Sequence, residues 1–379
     1  MTDVAIAQTD LLDREAGEAL GRQIREQLAA PPDALIIFAS PRNDFPVLLE
    51  ALAEAAGTRT IVGCSSAGEF TNEDSGVGLT NVTAIRSETM RFSASVGTGL
   101  SRDQRAAAAQ IVSGFAWREQ RVLPFRAALV LVDALAGHAE ELVEALTIET
   151  GGAYRFFGGG AGDDARFQST RVFCGTGVYA NAVVALEIAS AKPLGIGARH
   201  GWVPASDPLR VTAADASQMV SLNAAPAVEA FEEHAESTTQ RFDRAQPMPF
   251  FLHNIVGVET SSGHKLRVPL GITEAGGIVC AAEVPPGATA RIMSAGTTSA
   301  AEAAASAARD AVAQVTRDGG RPRAALFFDC VATRLRLGKD FDHELEALAG
   351  ELGGAPFAGF NSYGQIVRAD GQFSGFHNC

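Results

Sequence analysis

The sequence is short of several things, and each shortage excludes a class of protein. It has no run of about 18 or more apolar residues, the minimum for a membrane-spanning helix. Lys and Arg number 31 against 44 Asp and Glu, a net charge of −13. Nucleic acid and anionic membrane both select clustered basic residues, so neither is expected as the main partner. The five cysteines, Cys64, Cys174, Cys280, Cys330 and Cys379, are scattered and form no CxxC pair. A disulfide framework or structural zinc site is therefore not expected, and a reducing cytoplasm suits the pattern. The seven histidines (138, 200, 234, 253, 264, 343 and 377) contain no HxxxH or HxH pair, so no metal site is expected from them. No glycine loop carries a phosphate-binding lysine, which argues against an NTPase. Met1-Thr-Asp-Val has an acid at position 3 and no basic segment before an apolar run, so no secretory leader is expected.

What is present points to a folded, multi-part chain. Apolar residues make up 46% and charged residues 20%, the balance of a globular protein. A length of 379 residues has room for two or three domains. Three stretches share one grammar of strand, helix, strand and glycine turn. The first has an apolar run at 34–40, a helical pattern at 48–56, then Thr60-Ile-Val-Gly-Cys-Ser-Ser-Ala-Gly68-Glu69. The second has 127–133, 140–149, then Tyr154-Arg-Phe-Phe-Gly-Gly-Gly-Ala-Gly162-Asp163. The third has 324–330, 344–352, then Pro356-Phe-Ala-Gly-Phe-Asn-Ser-Tyr-Gly364-Gln365. Aligned without a gap, each ends in glycine followed by an acid or amide. Each is preceded by a further strand and helix: 4–7 with 10–28, 92–96 with 101–115, and 289–293 with 299–315. The predicted unit is β-α-β-α-β followed by a glycine turn. Such crossovers cover a sheet face, and open sheets place ligands just beyond strand ends.

Between the second and third units the pattern changes. Gly175-Thr-Gly177 reads as a hairpin between 170–174 and 178–188. Short strands are expected at 195–203 and 209–212, a helix after Pro226 through Glu233, and a strand meander over 250–258, 265–270, 277–282 and 289–293. The fold class is α/β with mixed α+β character, in two related domains whose mixed sheets are flanked by helices. The boundary falls at 220: residues 1–220 hold two units and the hairpin, and residues 221–379 hold the meander and the third unit.

Several of these motifs resemble the FIST family of intracellular sensory proteins. Gly63-Cys-Ser-Ser-Ala-Gly-Glu69 is similar to its N-terminal signature and Gly158-Gly-Gly-Ala-Gly-Asp-Asp164 to its second glycine motif. Leu222-Asn-Ala-Ala-Pro-Ala227 is similar to the segment joining its halves. Gly359-Phe-Asn-Ser-Tyr-Gly-Gln365, with Phe376-His-Asn378, is similar to its C-terminal signature. The resemblance covers nearly the whole chain in order, so 1–220 becomes an N-like and 221–379 a C-like domain. It departs at Gln365, where the family commonly has Glu. The family also usually runs on past the His-Asn pair into another strand, and that strand is expected to be missing or removed at Cys379. The resemblance implies a cytoplasmic sensor that binds a small, perhaps amino-acid-like ligand and signals through a partner such as a kinase or cyclase. It implies no catalytic activity. One branch of the family binds haem and senses nitric oxide, which makes haem the alternative cofactor.

The candidate ligand contacts follow from the three turns. Gly63, Cys64, Ser65, Ser66 and Glu69 supply hydroxyls, a thiol and a carboxylate at one strand end. Gly159, Gly160 and Asp163 supply the second, and Asn361, Ser362 and Gln365 the third. Glycine admits a ligand close to the backbone and the polar groups orient it. The bland reading of each glycine is turn punctuation, and that of Cys64 is a small buried hydrophobe. Glu69 and Asp163 pair as a candidate ammonium site or an acid and base, or else simply cap turns. Arg267 could clamp a carboxylate or sit on a solvated strand face. For haem, the candidate axial ligands are His200, His253, His264 and His377. An enzyme using Cys64 or the Glu69/Asp163 pair is the remaining alternative, although no base is placed beside the thiol in sequence. The expectation is no catalysis, no metal and no cofactor, with at least two turns lining one cleft.

Overall fold

The computed structural model describes residues 1–261, 263–296, 298–317, 319–369 and 375–378; Cys379 lies outside them. The fold is mixed α/β, and the three units are present. In the first, the apolar run Ala34–Ala39 is wholly buried and pairs in parallel with Ile61–Ser65. The helix between them, Phe45–Ala56, starts where the Asp44 carboxylate accepts the Val47 amide and ends at Gly57, which adopts the left-handed conformation. In the second, Phe125–Val132 pairs in parallel with Arg155–Gly160 across the helix Ala139–Glu149. In the third, Ala325–Cys330 pairs in parallel with Phe357–Ser362. The helix expected at 344–352 is observed as Phe341–Glu351, and a further helix not expected from sequence, Val331–Leu337, precedes it.

One glycine in each pair fixes how closely the strands nestle. Gly63 faces Ile37, Gly158 faces Val130 and Gly359 faces Phe327. At all three, a Cβ would fall on the carbonyl oxygen of the facing residue. These glycines superimpose the units, and they correct the gapless alignment. Gly63 and Gly359 lie five residues before Gly68 and Gly364, whereas Gly158 lies only four before Gly162. Accordingly Gly68 and Gly364 share a φ of 139°, while Gly162 is absent from the positive-φ glycines. The position matching Glu69 and Gln365 is therefore Asp164, not Asp163.

Each unit passes its chain to another after the turn. Glu69–Thr71 leaves the first unit and pairs with Phe357–Ser362 of the third. Gln365–Arg368 leaves the third and pairs with Arg155–Gly160 of the second. Val172–Cys174 leaves the second and pairs with Ile61–Ser65 of the first. The exchange closes a ring. At its centre Phe38 of the first unit stacks on Phe360 of the third at 4.4 Å, and Phe328 meets both edge-on. Each fully buried phenyl is worth about 1.5–3 kcal/mol, so the ring is held by core, not by loops.

The outer strands differ between units. In the first, Thr80–Ser87 lies antiparallel between Thr2–Thr9 and Ala34–Ala39. In the second, Ala182–Ser190 lies between Met90–Thr98 and Phe125–Val132. In the third, Ala325–Cys330 is the outermost strand of a four-stranded sheet. The strand expected to open that unit, observed as Thr289–Ala295, belongs instead to a nine-stranded sheet with Asn254–Thr260 and Leu209–Asp215. The segment that runs along the third unit's helix Ser299–Thr316 is 195–201. Gly195 abuts Ala311, Gly197 abuts Ala307 and Gly201 abuts Ser299, so the two run in opposite directions. Within the meander, Phe250 and Phe251 close a short helix, Met248–Phe251, and the strand begins only at Asn254.

Candidate functional site

The three glycine turns meet. Ala67 N donates to Asn361 O at 3.0 Å and Asn361 N to Gly68 O at 2.8 Å, joining the first and third. Gly162 N donates to Ser65 O at 2.8 Å, joining the second and first. Gly160 N donates to Gly364 O at 2.8 Å and Tyr363 N to Gly160 O at 3.0 Å, joining the second and third. The turns expected to line one cleft instead pack on one another, and most of their polar groups are used between them. Ser65 Oγ accepts the Arg171 amide at 3.0 Å. Ser66 donates to Glu69, whose other oxygen accepts the Leu79 amide at 3.0 Å. Asp163 accepts the Tyr363 hydroxyl and the amides of Phe167, Gln168 and Ser169. Ser362 Oγ donates to Asp329 O at 2.9 Å and accepts from Gln365 Nε2 at 2.9 Å. A Cβ on Gly159 would meet Gly364 O and the Ser362 side chain, so glycine there serves packing between turns.

Titration follows from these surroundings. Burial and the nearby Glu69 push the Cys64 thiol well up, so no thiolate nucleophile forms near neutrality. Burial also lifts Glu69 to about 8, only partly offset by the bonds from Ser66 and Leu79. Burial acts to raise Asp163 too, but the Tyr363 hydroxyl and three amides outweigh it and hold it down. Glu69 and Asp163 are thus two separately engaged carboxylates. The acid that interacts with Glu69 is Asp164, in keeping with the one-residue offset. Arg267 is 3% exposed and its guanidinium is engaged by backbone oxygens of Leu266, Glu283 and Phe376. It staples the strand Gly375–His377 to the neighbouring sheet and is neither a solvated face nor an open clamp.

A half-open cavity of about 900 Å³ lies beside this hub. The strand Ala325–Cys330 lies along it, and the alanine face of helix Ser299–Thr316 (Ala303, Ala307, Ala311) forms one wall. The segment 193–202 and side chains such as Ile85, Phe92 and Ile188 form others. Of the twelve ligand contacts expected from sequence, only Gln365 lines it. One end is polar, with Asp329, Arg336, Glu344, His200 and His377; the other carries Lys192, Arg321 and Arg323.

The polar end holds a buried charge cluster. Glu344 is 5% exposed, and its Oε2 has no hydrogen-bond partner within the protein. Burial lifts it to about 7, offset in part by Arg336. Asp329 accepts Asn361 Nδ2 at 3.1 Å and is pushed well up by burial and by the charge of Glu344. Arg336 lies 5.2 Å over the Trp202 ring, which favours a cation. Burial lowers His200, and burial together with Arg267 takes His377 down to about 3, so both imidazoles are neutral at pH 7. His253 and His264 do not line the cavity. Elsewhere, partly exposed His138, Glu141 and Glu283 place ligand atoms within 4.8 Å of one another and could hold a metal.

Asp329, Arg336 and Glu344 escape a sequence reading because one strand end and two separate helices supply them. The one visible signal is the alanine run of 300–311, whose small side chains leave space beside the strand.

Three crossover units closed into a ring around converging turns, with a cavity at the flank, define a mixed α/β fold. The FIST N domain matches residues 33–225 and the FIST C domain residues 227–368. The chain therefore belongs to the FIST family, as the four motifs implied. FIST domains are sensory domains for small ligands in signal transduction, and the family is not an enzyme family. A comparison with individually characterised proteins gives no match. Among the described residues no helix is long and apolar enough to cross a membrane.

Proposed function

We propose that the protein is a cytoplasmic sensor whose small ligand sits in the cavity along Ala325–Cys330, not between the three turns. The observation that carries this reading is Glu344: a buried carboxylate with one unpartnered oxygen, facing a cavity of about 900 Å³. A buried acceptor left open costs about 1–3 kcal/mol, more for a charged group, and such a cost is tolerated where a ligand supplies the partner. Glu344 and Asp329 beside Arg336 suit a head group with an ammonium and a carboxylate, and the alanine wall suits an apolar body. That matches a small amino-acid-like ligand. Output passes to a partner protein such as a kinase or cyclase. Calorimetry against a panel of free amino acids and their apolar amides tests the reading. Binding should occur and fall about 10- to 150-fold in Glu344→Gln. Unchanged affinity in that variant would remove the site.

A second reading has one specific observation behind it. His200 and His377, both neutral, line the same cavity and could ligate haem iron, with Lys192, Arg321 and Arg323 available to carboxylate side chains. Titration with haemin discriminates. A Soret band lost in His377→Ala supports haem, and its absence in the wild type leaves the small-ligand reading alone.

A further inference from the structure

Away from the cavity, three metal-ligating side chains meet where the two halves of the chain touch. His138 stands at the N-cap of the helix Ala139–Glu149, and Glu141 follows in its first turn. Glu283 comes from the other half, 145 residues after His138. The FIST N match contains the first two and the FIST C match the third. Each is held in place. Gly137 and His138 have φ of 74° and 60°, a sharp turn that leads the chain into the helix. A spacing of three sets His138 and Glu141 on one side of the helix start. Glu283 is fixed twice: its Oε1 accepts the His138 amide at 3.2 Å, and its carbonyl accepts Nε of the buried Arg267 at 2.9 Å.

The distances suit a shared ion better than direct pairing. His138 Nδ1 lies 3.8 Å from Glu141 Oε1 and 3.9 Å from Glu283 Oε1, and the three ligand atoms fall within 4.8 Å of one another. Those separations are too long for hydrogen bonds. Two ligands of one tetrahedral zinc ion stand about 3.4 Å apart, since each bond is about 2.0–2.2 Å. The side chains are partly exposed, so a shift of about half an ångström completes the set. The charges point the same way. Two carboxylates converge here, and like charges so placed repel. Among the described residues neither pairs with a lysine or arginine. The neighbouring cations are already used: Lys265 pairs with Glu140, and Arg267 is engaged by backbone oxygens. The helix start accounts for Glu283, which accepts its amide, but not for a second carboxylate beside it.

We infer that His138, Glu141 and Glu283 bind one divalent transition ion of the zinc class, with water completing the shell. One imidazole and two carboxylates suit such an ion, whereas calcium takes about six to eight oxygens. The ion ties the helix of the second unit to the meander half of the chain. Histidine spacing gave no hint of it, because one ligand lies across the fold. The inference does not rest on the cavity or its ligand.

Calorimetry of the full chain, stripped with a chelator and titrated with zinc chloride, tests it. Saturable one-to-one binding is expected. Glu283→Gln keeps the side-chain shape and can still accept the His138 amide, yet should weaken zinc about tenfold or more. His138→Asn, which tolerates a positive φ, should do the same. His343→Ala removes an exposed histidine on Phe341–Glu351 and should leave the affinity unchanged. Zinc should raise the urea midpoint of the wild type and not that of Glu283→Gln. If neither site variant folds, Glu141→Gln, at a half-exposed position, decides on the same terms. Absence of saturable binding would overturn the inference. So would equal affinity in the site variants, which would mark an adventitious ion only.

Discussion

The hub and the cavity lie side by side, share Asp329 and Gln365, and are built on opposite terms. In the hub, small residues bring three turns close enough for most of their amides, hydroxyls and carboxylates to satisfy one another, with Asp164 Oδ1 left over. In the cavity, small residues on Ser299–Thr316 leave space, and Glu344 faces it with an oxygen unpartnered. Glycine and alanine are thus read wrongly when taken alone. Near a strand end they signal close approach of something, but that something can be the next unit of the same chain.

The largest expected effect breaks the hub. Gly359→Ala places a Cβ on the Phe327 carbonyl and against Phe70, with the backbone fixed by pairing on both sides. Overpacking of this kind should cost roughly 3 kcal/mol. Urea unfolding measures it. A loss below about 1 kcal/mol would mean that the strands separate easily, and the hub would no longer contrast with the cavity.

Next comes Tyr363→Phe. Its hydroxyl donates to Asp163 across the junction of the second and third units. Removing a hydrogen bond to a buried carboxylate costs about 1.5–3 kcal/mol. The pH dependence adds a sign. The Asp163 carboxyl is held below its ordinary value in the folded state, so its contribution is present above that ordinary value and lost as pH falls through the folded one. Tyr363→Phe should therefore cost more at pH 7 than at pH 3. A penalty independent of pH would make the hydroxyl mere packing.

Much of this fold was legible in the sequence, and the reason is local. Runs such as Leu35-Ile-Ile-Phe and Ala-Leu-Val-Leu-Val are short and apolar, as buried strands are, and the helices between them carry apolar faces at helical spacing. The units and their convergence followed from grammar repeated three times. The partner exchange did not, because Glu69–Thr71 finds its neighbour almost 300 residues away in Phe357–Ser362, and nothing in three residues specifies that. The offset in the second unit was hidden by its row of glycines, Gly158-Gly-Gly, where any of three can be the close-approach position. The site was the least legible part. Asp329, Arg336 and Glu344 are unremarkable singly, and their meaning lies in joint burial. Arg267 looked like a strand-face cation until the strand Gly375–His377 was laid across it.

The last variant sharpens the comparison most, because its sign is opposite to that of the hub variants. Glu344 titrates at about 7 in the folded protein against 4.5 in an ordinary setting, chiefly through burial. A raised carboxyl contributes its full stability below its unfolded value and loses it as pH rises through the folded one. Wild-type stability should accordingly decline from about pH 4.5 to pH 8 through this group. Glu344→Gln cannot ionise and keeps nearly the same shape. It should be more stable than wild type at pH 8, with little difference at pH 4.5. The same variant is expected to lose ligand, so the residue trades stability for function as binding sites commonly do. Chemical denaturation at the two pH values, paired with calorimetry, reads both quantities on one protein. If Glu344→Gln instead destabilises at pH 8 as Gly359→Ala does, the carboxylate is a satisfied structural member. The polar end of the cavity would then be built on the same terms as the hub.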